Sequence, residues 1–118
     1  MAKCYFKTAS TCCRCGCGAD LRIEIRHKFN LIREKFGKPL TVTGPTRCPK
    51  YNKTVGGAEN SRHIHGDALD IFTAGMSDVE KIKLIALAVE LGATGLGLHK
   101  NFTHIDFGHT DITVWDYN

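Results

Sequence analysis

The chain has 118 residues, a formal net charge of +4, and 42% apolar, 8% aromatic and 24% charged residues. This ordinary globular composition allows one compact domain, residues 1–118, and excludes fibrous, low-complexity and extensively disordered architectures. No run reaches the ~18 apolar residues of a membrane-spanning helix, and residues 1–10 lack the apolar centre of a secretory signal, so a cytoplasmic protein with no membrane contact is expected.

Residues 1–19 read as an irregular, Cys-rich arm that carries Cys4, Cys12, Cys13, Cys15 and Cys17. From Asp20 onward, Leu21, Ile25, Phe29, Ile32 and Phe36 recur at three- and four-residue steps, which predicts one buried helix face. Asp20 is its expected cap, and Gly37 with Pro39 its expected stop. Residues 40–43 alternate as a short strand, and Gly44, Pro45 and Pro49 then open a long loop to about Arg62. Residues 68–72 read as a second strand. Ser77 and Glu80 have capping-box spacing for a helix whose expected core residues are Ile82, Ile85 and Val89, ending at Gly92. Residues 95–99, 102–107 and 113–117 give three further short strands. The order predicts an α+β domain with helices packed on a mainly antiparallel sheet.

The chemistry gathers around histidines and acids. His63 and Asp70 bracket the segment His-Ile-His-Gly-Asp-Ala-Leu-Asp, and His104 and Asp106 stand two apart on a later strand, hence on one face. If the strands carrying Asp70 and His104 are neighbours, two imidazoles and one carboxylate can converge on a divalent ion. Three such ligands suit zinc and leave a fourth position for water, which is hydrolytic chemistry. On spacing alone, polar residues at strand ends explain the pattern equally well.

The stretch from Thr41 to Ile71, followed by residues 102–106, resembles the family of zinc D,D-carboxypeptidases and L-alanyl-D-glutamate endopeptidases, particularly its small phage-type members. The pattern Ser-x-His-x-x-Gly-x-Ala-x-Asp is met at Ser61, His63, Gly66, Ala68 and Asp70. The upstream signature is met at Arg47, Cys48, Pro49, Asn52, Gly56 and Gly57, and the late His-x-Asp at His104 and Asp106.

The resemblance implies a hedgehog/D,D-peptidase-like fold with one catalytic Zn2+ held by His63, Asp70 and His104. It implies that Arg47 takes a carboxylate of a peptidoglycan stem peptide through its two-pronged guanidinium, with Ser61 beside it. A catalytic domain without a secretion signal would suit a phage lysin that waits in the cytoplasm for release to the cell wall. Two positions depart from the pattern. Asn101 stands where many members carry an acidic base, which leaves His99 for transition-state work and Asp106 as base or as a partner orienting an imidazole. Gly44-Pro45-Thr46 precedes Arg47 where relatives have Ser-Gly-Tyr.

Plainer readings stand beside these. His27 reads as solvated, His65 as an exposed loop residue, His109 as part of a turn, Trp115 as closing the core, and Asn60 and Ser61 as loop caps. Cys12 and Cys15 form a C-x2-C pair that Cys4, Cys17 or Cys48 could complete as a structural zinc site. The crowding of Cys12, Cys13, Cys15 and Cys17 favours free thiols over that second ion. No feature requires more than a monomer. The competing function is a non-catalytic, zinc-stabilised binding module for the cell wall or a protein. Nucleic-acid binding is disfavoured because acids are mixed among the bases without interleaved aromatics.

Overall fold

A computed structural model describes residues 5, 6 and 8–117; Cys4 lies outside them. The elements in chain order are α1 (Thr8–Thr11), α2 (Ile23–Phe36), β1 (Val42–Gly44), α3 (Pro49–Thr54), a 3-10 turn (Arg62–His65), β2 (Ala68–Phe72), α4 (Asp78–Glu90), β3 (Gly95–Leu98), β4 (Phe102–Asp106) and β5 (Thr113–Asp116). The strands form one sheet in the order β1-β2-β4-β3-β5. All pairings are antiparallel except β3 with β5, so the expected mainly antiparallel α+β arrangement is present.

The α2 stripe is buried as its period requires: Leu21, Ile25, Phe29, Ile32 and Phe36 are all in the core. They meet Leu69 and Ile71 of β2, Ile105 of β4 and Leu96 of β3, the residues on one face of the sheet. Each such fully buried aliphatic or aromatic side chain stabilises the fold by about 1.5–3 kcal/mol. Asp20 does not cap this helix. Arg22 occupies the cap position with no side-chain bond, while the Asp20 carboxylate accepts from Arg26, from Thr11 Oγ1 and from the Leu21 amide. Asp20 therefore clips the arm to the helix. Gly37, at φ 83°, closes α2 as expected.

The capping box of α4 forms as the sequence predicts, with Ser77 and Glu80 bonded reciprocally. The expected core stripe of that helix is corrected: Ile82 is 66% and Val89 36% exposed, whereas Leu84 and Ala88 are fully buried. The segment offers two apolar stripes at three- and four-residue steps, one through residues 82, 85 and 89 and one through 84, 87 and 91 with 88 beside it, and of the first only Ile85 packs partly against the core. Periodicity alone cannot choose between them.

The long loop after β1 is also more ordered than expected. Pro49 takes the first position of α3, where its missing N–H costs nothing, and the Cys48 side chain caps the helix by accepting from the Tyr51 amide. Among the described residues no helix is long and apolar enough to cross a membrane.

Candidate metal centre

The second face of the sheet carries the polar residues. Strand register sets Gly44, Asp70, His104, Gly97 and Trp115 in one row across all five strands, and their side chains share that face. The two glycines make room within the row. A Cβ at Gly44 would lie 2.1 Å from Asp70 Oδ2, and one at Gly97 would lie 2.6 Å from Trp115 Nε1. Ala68, Asp106 and Gly95 form the adjacent row, where a Cβ at Gly95 would again strike the Asp106 carboxylate. Small residues on β1 and β3 thus let the functional side chains of β2, β4 and β5 lie over the sheet.

His63 joins from the 3-10 turn. Ser61 Oγ caps the turn by accepting from the His63 amide, and Gly66, at φ 70°, reverses the chain into β2. A Cβ on Gly66 would stand 2.9 Å from the Asp20 carbonyl, so both the turn and the close approach require glycine. The Gly66 carbonyl also accepts from the Arg22 amide, which ties the start of α2 to this turn.

His63, Asp70 and His104 are all buried, and one donor atom from each lies within 4.8 Å of the others. His63 Nε2 is 3.2 Å and His104 Nδ1 2.9 Å from Asp70 Oδ1. Tetrahedral zinc with ligand bonds near 2.0–2.1 Å spaces its donors roughly 3.3 Å apart, and both nitrogen–oxygen separations stand within a few tenths of an ångström of that. The outer nitrogens fix the tautomers. His63 Nδ1 donates to the Pro45 carbonyl at 2.9 Å, and His104 Nε2 donates to Asp106 Oδ2 at 2.8 Å. With those outer protons held, each ring keeps its inner nitrogen, the one beside Asp70, as the atom that offers a lone pair to an ion once the ion displaces any proton shared there. The residues fit zinc.

Electrostatics agree. Burial pushes the Asp70 carboxyl up, but hydrogen bonds and charge from His104 and His63 outweigh it and hold the group at about 2. Burial likewise works against a charged His104, yet Asp106 and Asp70 raise it to about 9 when no ion lies between them. The three groups form a preformed anionic and imidazole nest whose protons a divalent ion would displace.

Asp106 is fully buried. Besides His104 it receives the Gly108 amide at 3.1 Å and His109 Nδ1 at 2.8 Å, both on Oδ1. Burial raises this carboxyl, and the bonds from His104, Gly108 and His109 more than offset that and lower it. Both oxygens are thus engaged by hydrogen bonds away from solvent.

A cavity of about 440 Å³ opens over the donors, and Arg47, Ser61, Phe102, His109, Trp115 and Tyr117 are among the residues around it. Arg47 Nη1 donates to Asn52 Oδ1 at 2.9 Å, and its amide donates to the His63 carbonyl at 3.0 Å. Among the described residues it has no carboxylate partner. Gly57 is glycine because a Cβ there would stand 2.1 Å from Asn52 Oδ1 and 2.6 Å from the guanidinium. The Arg47, Asn52 and Gly57 spacing is thus one unit that aims an arginine. Ser61 is both the turn cap and part of the cavity wall.

The structure places three residues differently from their sequence reading. His99 lies on the turn between β3 and β4, its ring stacked on Phe102 and its Nδ1 accepting from the Asn101 amide. It stands behind Phe102 and Tyr117 and outside the cavity lining. Besides the donors His63 and His104, the histidine that lines the cavity is His109, read from sequence as a turn residue, and Trp115 lines it where it was expected to close the core. Their signal was present but long-range: His109 follows Asp106 by three, and Trp115 faces Gly97 only through the β3–β5 register. His27 and His65 are exposed, as expected.

A zinc D-Ala-D-Ala carboxypeptidase of Streptomyces albus G is 47% identical to this chain over 45 residues, a match covering 37% of this chain and 18% of that protein. This chain therefore spans less than a fifth of that curated relative's length. Residues 3–106 match the family described as Peptidase M15. That match takes in most of the sequence and all three candidate metal donors, so the chain belongs to the peptidase M15 family.

Proposed function

We propose that this protein hydrolyses peptidoglycan stem peptides, on a fold of the hedgehog/D,D-peptidase-like type. The observation that carries the reading is the placement of Arg47, free of any carboxylate partner among the described residues, in the same cavity as the His63, Asp70 and His104 donors. When bound, zinc supplies Lewis-acid activation of a water molecule and of the scissile carbonyl.

The chain's own residues then divide the work. Arg47 clamps a substrate carboxylate, the terminal one of D-Ala-D-Ala or the free α-carboxyl of a D-Glu residue, through two charge-assisted hydrogen bonds. His109 holds its Nδ1 proton against Asp106, which leaves Nε2 as the ring atom able to accept and return a proton in the cavity. Asp106 steadies both His104 and His109. Trp115, Tyr117 and Phe102 form an apolar wall against which the peptide packs and from which water is displaced. All these groups come from one chain, so a monomer suffices. The proton role moves from His99 to His109, and Asn101, exposed on the β3–β4 turn, takes no part.

A non-catalytic binding module remains the competing reading, because Asp70 is the one carboxylate bordering the cavity among the described residues. Incubation with purified sacculi, with and without chelator, separates the two. Zinc-dependent release of new amino groups is expected, and mass analysis of the released peptide identifies the bond cut. Retention on sacculi with no release at any zinc level would refute the hydrolase. The lysin setting is tested by adding the protein to permeabilised cells and following turbidity, which is expected to fall.

A further inference from the structure

Four thiols converge at the other end of the Arg47 loop. Cys13, Cys15, Cys17 and Cys48 bring their Sγ atoms within 4.8 Å of one another. Cys13 Sγ is 3.4 Å from Cys15 Sγ, and Cys15 Sγ is 3.6 Å from Cys48 Sγ. An ion with Zn–S bonds near 2.3 Å holds the corners of its tetrahedron roughly 3.8 Å apart. The sulfurs therefore already stand near the spacing of a tetrathiolate site, and all four are free cysteines.

We propose that these four thiolates bind a structural zinc ion, distinct from the one held by His63, Asp70 and His104. The local backbone is shaped for it. The Gly16 amide donates to the Cys13 carbonyl at 3.2 Å, closing a tight turn, and the Cys13 amide donates to the Ala19 carbonyl at 2.7 Å, closing the whole loop. Gly16 and Gly18 take φ values of 82° and 92°, which side chains rarely adopt. The chain thus folds back between alternate cysteines and presents three of them inward.

Two backbone amides also point at sulfur, Cys48 N to Cys13 Sγ at 3.4 Å and Tyr51 N to Cys48 Sγ at 3.3 Å. Such donors offset the negative charge that gathers on metal-bound thiolates. Residues 14–18 are all exposed, so hydrophobic burial does not hold this loop. A shared ion does what a core cannot in so small a segment. Soft sulfur donors in a tetrahedron select zinc or iron over hard cations, and we assign zinc.

Cys48 directly follows Arg47, and the Thr46 amide donates to the Thr11 carbonyl at 2.9 Å. The ion would therefore lock the N-terminal arm to the loop that aims the cavity arginine. Cys12, one half of the C-x2-C pair in the sequence, is not a member of the cluster; the ligand pattern is C-x-C-x-C with a distant fourth cysteine.

The test is metal content of the purified full chain together with cobalt spectroscopy. One ion for each of the two donor clusters is expected. The His63→Ala variant should keep the thiolate-bound ion, and Cys15→Ser and Cys17→Ser, both at exposed positions, should keep the histidine-bound one. Cys12→Ser should keep both. Cobalt loaded into His63→Ala should give the intense thiolate-to-cobalt charge-transfer absorption that imidazole and carboxylate ligands do not produce. If a cysteine variant is insoluble, alkylation of the unmodified chain decides: zinc should protect all four thiols while Cys12 reacts. Overturning results would be a single ion per chain that His63→Ala abolishes, thiols that react equally with and without zinc, or iron in place of zinc.

Discussion

Replacing Asp106 with Asn tests how the centre is organised, because it changes hydrogen-bond polarity without changing volume. The carboxylate receives three donors: His104 Nε2 at 2.8 Å on Oδ2, and the Gly108 amide at 3.1 Å and His109 Nδ1 at 2.8 Å on Oδ1. An amide offers one acceptor and one donor end. The Gly108 N–H cannot become an acceptor, so the asparagine oxygen takes the Oδ1 side and its NH2 faces His104. His104 can meet that donor only by moving its proton to Nδ1, the nitrogen turned toward Asp70 and the ion. Loss of such an outer partner weakens metal binding about 10–100-fold, equivalent to about 1.4–2.7 kcal/mol. The assay is chelator competition for zinc in a Cys15→Ser background, where the histidine site alone reports, with circular dichroism to check the fold. An asparagine variant that holds zinc as tightly as its parent would refute the tautomer argument.

Further outcomes follow from the same geometry. In chelator-treated protein, His104 has its pKa raised to about 9, so its contribution to stability is complete below about pH 6.5 and is lost as pH rises through 9. Asp70, lowered to about 2, contributes fully above about pH 4 and loses that contribution as pH falls toward 2. Thermal denaturation should therefore show a metal-free optimum between these limits, while zinc affinity rises with pH because the ion must displace the His104 proton; zinc binding independent of pH from 6 to 9 would contradict this. Gly44→Ala drives a methyl into the Asp70 carboxylate and should lose the histidine-bound zinc, whereas Gly97→Ala displaces Trp115 and should keep zinc but raise KM; metal analysis beside peptide kinetics separates the two. His109→Ala should retain zinc and lower kcat by about 10²–10⁴, with the His99→Ala rate staying near that of the unmodified chain.

Much of this arrangement is legible in the sequence where signals are local. The α2 stripe, the Ser77 capping box and the Ser61 to Asp70 motif each depend on residues within a turn or two of one another, and each forms as its spacing implies. Where the sequence misleads, two local solutions compete or the partner is far away. The apolar residues of α4 fit two stripes at three- and four-residue steps, and only docking against α2 and the sheet selects Leu84 over Ile82. Asp20 resembles a helix cap until Arg26 and Thr11 claim its carboxylate. Trp115 enters the site through strand register and His109 through its bond to Asp106, and the fourth thiol, Cys48, lies 33 residues beyond Cys15, whose sulfur stands 3.6 Å from it. Gly44 reads as the start of a loop and Gly95 and Gly97 as ordinary strand positions, yet all three act as openings into which neighbouring side chains fold.

The most direct measurement is anomalous diffraction at the zinc edge from crystals grown with zinc. A peak bonded to His63 Nε2, Asp70 Oδ1 and His104 Nδ1 is expected, with the fourth side facing the Arg47 cavity. Zinc-replete crystals with no anomalous density among those three atoms, or with the ion closed off by a fourth protein ligand, would contradict a hydrolytic centre.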